Sequence, residues 1–211
     1  MTMTEKDEPP GGFARVFEAL DYGGALYVDP VPDFNAACDR IASLLTDASV
    51  LFERCSYGTS TFLAITALEE TAKAHVGLFR RDKTERSKGR DPFRDHQAKH
   101  SMASLPTVYM GSRLSDALGP ETCRRLETEA KAGLAADREA CLYMECKNGA
   151  FVTPATAIAR ARARELLLLA IEAADDALVG YTNHSYRCGE LFDQLFARFA
   201  SADPEAKPHH R

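Results

Sequence analysis

The sequence predicts an all-α fold, a single helical bundle, and three observations lead there. Apolar residues recur three and four apart over long stretches. Proline-opened starts and glycine breaks delimit those stretches. No repeat and no second domain emerges in 211 residues, a length that fits one domain with tails.

Taken in order, residues 1–12 are polar, carry Pro9-Pro10-Gly11-Gly12 and read as disordered. Phe13 to Leu20 forms a short helix, and residues 1–32 together read as an N-terminal extension. Asp33, after Pro32, has the character of a helix N-cap. Ala37, Ile41, Leu44, Leu45, Ala48, Leu51 and Phe52 follow at helical spacing and end near Cys55. Gly58 breaks the chain before a helix from Thr59 to Arg80, whose stripe is Phe62, Ile65, Leu68, Ala72, Val76 and Phe79. Residues 81–91 are charged and loop-like. A third helix starts near Pro92, a residue suited to a first helical turn, and reaches Ser104 before Pro106 interferes. A fourth spans Glu121 to Met144. Lys147-Asn148-Gly149 is a turn signal, so a short hairpin or turn falls near 142–153. Thr153-Pro154 opens the last long helix, which ends before Gly180. A further helical piece covers Glu190 to Ala200, and 201–211 is a polar tail. The bundle domain is therefore 33–200.

Composition narrows the function. The net charge of -5 argues against a protein that coats nucleic acid in general. Residues 80–100, however, hold eight Lys/Arg against four acids, a local basic patch able to recognise a particular polyanion. The six cysteines form no Cys-x-x-Cys pair and no zinc motif with histidine, so they read as small core residues in a reducing compartment. The longest aliphatic run, Leu166 to Ile171, is far short of the ~20 residues a bilayer span needs. No signal peptide is apparent, and the expected location is cytoplasmic, away from membranes.

Two segments carry chemistry. Glu69 lies on the edge of the apolar stripe, with Lys73 four residues on. An acid there needs a partner, because an unpaired buried charge costs several kcal/mol. An ordinary intrahelical pair with Lys73, worth roughly 0.2–0.5 kcal/mol, is the bland reading. Glu70 points some 100° away and is more exposed. In the second segment, His96 shares a helix face with Lys99 and with His100, and Arg90 and Arg94 lie upstream. Histidine moves protons near neutral pH. Arginine and lysine hold phosphate and stabilise charge developing on it. These are the groups a metal-independent ribonuclease needs; a solvated basic helix start with incidental histidines is the competing reading. His75 and His184 read as lone surface or boundary residues, and His209 and His210 belong to the tail. Glu69 or Glu70 with His96 and His100 makes only a weak metal site, since no Glu-x-x-His motif is present, so no metal and no cofactor is expected. No Gly-x-Ser-x-Gly elbow and no phosphate loop occurs.

The segments Ala64 to Lys73, with its Glu69-Glu70-x-x-Lys73 end, Phe93 to Lys99, with His96-x-x-Lys99, and Arg138 to Glu145 followed by Asn148 to Pro154 resemble in order and spacing the AbiV family of abortive-infection proteins, placed in the HEPN superfamily. The resemblance covers roughly residues 35–180. It implies a HEPN-like helical bundle and a role in anti-phage defence through a block of translation. HEPN relatives often cleave RNA with an Arg-x4–6-His motif duplicated across a homodimer. Two frames fit here, Arg90 to His96 and Arg94 to His100, each arginine followed by an aspartate. His96 is favoured because it also fits the His-x-x-Lys element. The resemblance then implies His96 as general acid or base, Arg90, Arg94, Lys99 and His100 around the phosphate, and Glu69 and Lys73 orienting them. The alternative is a non-catalytic protein that binds a phage or host protein or the translation machinery, with the same cluster holding two helices together. A small-molecule sensor with a pocket between helices is a third reading.

Overall fold

The computed structural model describes residues 11–82, 88–110, 112–147 and 149–201. Ten α-helices and one hairpin make up these residues: α1 (Gly12–Tyr22), α2 (Pro30–Glu53), α3 (Tyr57–Phe79), α4 (His96–Met110), α5 (Arg113–Leu118), α6 (Pro120–Ala132), α7 (Ala135–Ala140), β1 (Glu145–Lys147), β2 (Ala150–Val152), α8 (Pro154–Ala157), α9 (Arg160–Leu178) and α10 (Asn183–Ala200). The fold is all-α, as its periodicity predicts. The hairpin falls where the Asn-Gly signal places it, with Glu145 opposite Val152 and Lys147 opposite Ala150.

Helix α3 is the axis of the bundle, packed against α2, α4 and α9. Its alanines explain how. Ala64, Ala67, Ala72 and Ala74 are buried along with Ile65, Leu68 and Val76, so neighbours close in on several sides. The single stripe read from periodicity is too narrow, and Phe79, assigned to it, is half exposed. A helix apolar all round is an interior helix. The run Leu166 to Ile171 in α9 behaves the same way, every residue of it buried. Arg113 ties α5 to this layer by pairing with Glu172 and Asp175 of α9 and Asp193 of α10.

Several boundaries differ from those read in the sequence, each for a local reason. Asp33 is not the N-cap of α2. It lies in the first turn and accepts hydrogen bonds from the N–H groups of Val28 (2.8 Å) and Asp29 (3.0 Å). Gly58 sits inside α3, and the break precedes it at Arg54–Ser56. A Cβ on Gly58 would come within 2.5 Å of the Pro154 carbonyl oxygen, so glycine here permits a close approach between α3 and α8. Pro92 opens only a 3-10 turn (Pro92–Arg94), and α4 starts at His96. That helix runs through Pro106 to Met110, despite the lost backbone donor and the crowding that proline brings to a helix interior. The expected Glu121-to-Met144 helix is two helices, divided at Gly133, whose φ of +90° favours a residue without a Cβ. Thr153 caps the short α8, and α9 begins afresh at Arg160. Helix α10 starts at Asn183, seven residues earlier than expected, behind a capping box at Thr182. Cys55 and Cys146 are exposed and do not belong to the core, unlike the other four cysteines. The expectations for residues 1–10, Lys83, Arg86 and 202–211 lie outside the described residues. Among the described residues no helix is long and apolar enough to cross a membrane.

Gly58→Ala is expected to destabilise the fold by about 1–3 kcal/mol, the usual range for forcing atoms into a packed contact. Denaturant unfolding of the two proteins measures the difference.

Candidate functional site

Helix α4 is set in place from both ends of the loop that precedes it. Arg80, just past α3 and buried, pairs with Asp91 (3.1 Å) and donates to the Gly23 carbonyl (2.8 Å). Its guanidinium lies over the rings of Phe93 (4.4 Å) and Tyr22 (5.1 Å). These contacts fasten the 3-10 turn to α1 and α3. Asp95 then accepts from the Ala98 N–H (3.1 Å) and caps the first turn of α4.

From that start, His96, Lys99 and His100 fall on one helix face, and the face meets Glu69 of α3. Oε1 of Glu69 accepts from Nδ1 of His96 at 2.7 Å and from Nε2 of His100 at 3.0 Å. Oε2 accepts from the Lys99 ammonium at 2.7 Å. Arg138 of α7 brings its Nε to 3.7 Å from Oε1, with its guanidinium over Phe62 at 5.6 Å. The Glu69 side chain is only 7% exposed. Burial alone would push its pKa up, but hydrogen bonds from His100, Lys99 and His96 outweigh it and hold the carboxylate at about 2.

The two histidines are not equivalent. Nδ1 of His100 accepts from the Leu134 N–H at 3.0 Å, so it carries no proton and Nε2 donates to Glu69. That N–H is available because Gly133 ends α6 one residue earlier. His100 is 0% exposed, enclosed on all sides. The His96 side chain is 46% exposed. Its Nδ1 faces Glu69, and its Nε2 makes no hydrogen bond among the described residues.

The remaining predicted residues lie elsewhere around α4. Lys73 does not reach Glu69; it pairs with Glu70 at 2.6 Å. Turning Glu69 into the bundle leaves Glu70 as the acid on Lys73's side. Arg90 precedes the helix and donates to the Arg94 carbonyl at 2.7 Å, and both arginine side chains are exposed. They line a recess of about 300 Å³ with Tyr22, Gly89 and Asp91. A second recess of about 220 Å³ includes Lys73, Arg80 and Arg94. His75 is bonded to the Tyr181 hydroxyl at 3.0 Å, and His184 to Asp39 at 2.7 Å, so neither stands alone. Spacing gave no reason to assign roles to Arg138 and Leu134. Arg138 does fall within a segment that carries the family resemblance.

The AbiV family model, HEPN_AbiV, matches residues 34–174, two thirds of the chain. The chain belongs to the AbiV family. It is thus an abortive-infection protein of the HEPN type, and the match spans α3, α4 and α7, which bring Glu69, His96, Lys99, His100 and Arg138 together. No curated protein and no solved structure matches it.

The low pKa of Glu69 makes a pH prediction. A carboxylate held below its ordinary value stabilises the fold at every pH above that value and loses the contribution as pH falls towards 2. The loss is expected to be roughly 3 kcal/mol. Unfolding free energies of the native protein and Glu69→Gln between pH 6 and pH 3, compared at equal ionic strength, should converge as the pH drops. Parallel curves would refute the assignment.

Proposed function

We propose that this AbiV-family protein acts against phage by cutting RNA without a metal, with His96 as the proton-transfer group, and so blocks translation. One observation supports this most: Nδ1 of His96 is held at 2.7 Å by Glu69 while the side chain is 46% exposed, with Nε2 unbonded among the described residues. A carboxylate behind an imidazole fixes its tautomer and stabilises the imidazolium. With the proton on Nδ1, Nε2 offers a lone pair to a 2′-hydroxyl. The 2′-oxygen attacks the adjacent phosphorus, the bond to the 5′-oxygen breaks, and that oxygen takes a proton. The products are a 2′,3′-cyclic phosphate and a 5′-hydroxyl.

Base and acid are separate groups during the attack, and each chain offers one exposed histidine in the cluster. A second copy contributing its own His96 supplies the other, which makes a homodimer the working form. Arg90 and Arg94 hold the phosphates through charge-assisted hydrogen bonds. Lys73, lining the second recess beside Arg94, faces the same polyanion. Lys99 and His100 act through Glu69 as positioning residues, being buried against it.

That burial also favours a second reading, in which the cluster is a polar lock joining α3, α4 and the α6–α7 turn. Defence then comes from binding a phage or host protein or the translation machinery.

Purified protein incubated with total RNA in EDTA distinguishes the two. Cleavage leaving cyclic phosphate ends is expected, with His96→Ala slower by about a hundredfold or more and its melting temperature nearly unchanged. Intact RNA, or equal cleavage by the variant, would overturn the ribonuclease reading. A clear fall in melting temperature for His96→Ala would favour the lock.

A further inference from the structure

Helix α10 packs against α2, and three metal-ligating side chains meet there. His184 and Cys188 lie four residues apart in α10 and so share one face. Asp39 of α2 reaches that face: its Oδ1 is 2.7 Å from Nε2 of His184. These two atoms and the Cys188 sulfur lie within 4.8 Å of one another. We propose that Asp39, His184 and Cys188 bind a zinc ion, at a site separate from the Glu69 cluster.

The donor set is the argument. A thiolate, an imidazole nitrogen and a carboxylate oxygen are all zinc ligands, at about 2.3, 2.0–2.1 and 2.0–2.2 Å respectively. A separation of four residues on a helix is the spacing by which helical pairs grip zinc. Around a tetrahedral ion such ligand atoms stand roughly 3.3–3.8 Å apart, so small side-chain rotations within the observed 4.8 Å suffice. Exposure is graded in the useful direction. The Cys188 sulfur is the buried anchor, His184 is half-buried, and Asp39 stands at the open side. Water takes the fourth position there.

Binding releases one proton to solvent, from the Cys188 thiol. The His184 ring changes tautomer, losing the Nε2 proton it donates to Asp39 and taking one up at Nδ1. The contact of Nδ1 with Arg187 (3.4 Å) is then released. The ion bridges α2 and α10, so it stabilises the folded chain by mass action. His184-x3-Cys188 reverses the expectation that no cysteine pairs with histidine at zinc spacing, and its third partner, Asp39, is 145 residues away from His184 in sequence.

Cobalt(II) added to the reduced, full-length protein tests the site. A thiolate-to-cobalt charge-transfer band and the strong visible bands of tetrahedral cobalt are expected at one metal per chain, with zinc displacing them. Zinc is also expected to raise the melting temperature. Cys188→Ser should abolish the charge-transfer band, and His184→Ala, at a partly exposed position, should weaken metal binding while leaving the fold intact. Cys146→Ser should change neither. No charge-transfer band, or a band that survives in Cys188→Ser, would overturn the site. His184→Ala leaves His96 untouched, so this result is independent of the RNA assay.

Discussion

The cluster depends on one constraint: Glu69 is a charge inside a helix that has almost no solvent side. A lone carboxylate in such a place would neutralise or unfold its surroundings. Here its two oxygens are matched by donors from α4, with Arg138 of α7 nearby. Removing a buried partner, Lys99 or His100, from such a group is costlier than never having built it, because the remaining charge stays buried. At the exposed His96, water can take the place of the ring. The carboxylate therefore dictates which face α4 turns inward and how close α7 comes. Arg80 and Asp91 complete the constraint by pinning the chain between α3 and α4.

The same carboxylate separates two histidines that are alike in sequence. Both donate to Oε1, yet one is closed in by the Leu134 N–H and the other opens to solvent. Of the two overlapping Arg/His frames, only Arg90 to His96 ends in an accessible ring. Arg94 belongs to the surface in either frame, through the recess it lines with Arg90. The buried histidine braces the cluster and the exposed one is the group the proposed chemistry would use, with Glu69 bonded to both.

Much of this was legible in the sequence. Spacing of three and four put His96, Lys99 and His100 on one face, and an acid on the edge of an apolar stripe demanded a partner. The family resemblance followed from those segments in order. What escaped was decided by tertiary packing. Lys73 can pair with Glu69 or Glu70 on local geometry, and only the burial of α3 selects Glu70. The break at Gly133 lies between two good helical stretches, so periodicity runs through it, although that break frees the Leu134 N–H. Helix α3 reads as amphipathic because alanine is nearly neutral in such patterns, whereas in the bundle it lets neighbours in on several sides. The Asp39–His184–Cys188 group joins opposite ends of the chain, which no local pattern reveals.

The central claim is that Glu69 and the Leu134 N–H together give the two imidazoles opposite tautomers. Nitrogen-15 NMR of the histidine rings at neutral pH tests it directly, with assignments made through His96→Ala. The account predicts His100 with its proton on Nε2 and a bare Nδ1, and His96 with Nδ1 protonated. Glu69→Gln should release His96 from that tautomer and leave His100, held by the Leu134 N–H, unchanged. A His100 ring protonated on Nδ1, or a His96 tautomer unchanged by Glu69→Gln, would contradict it.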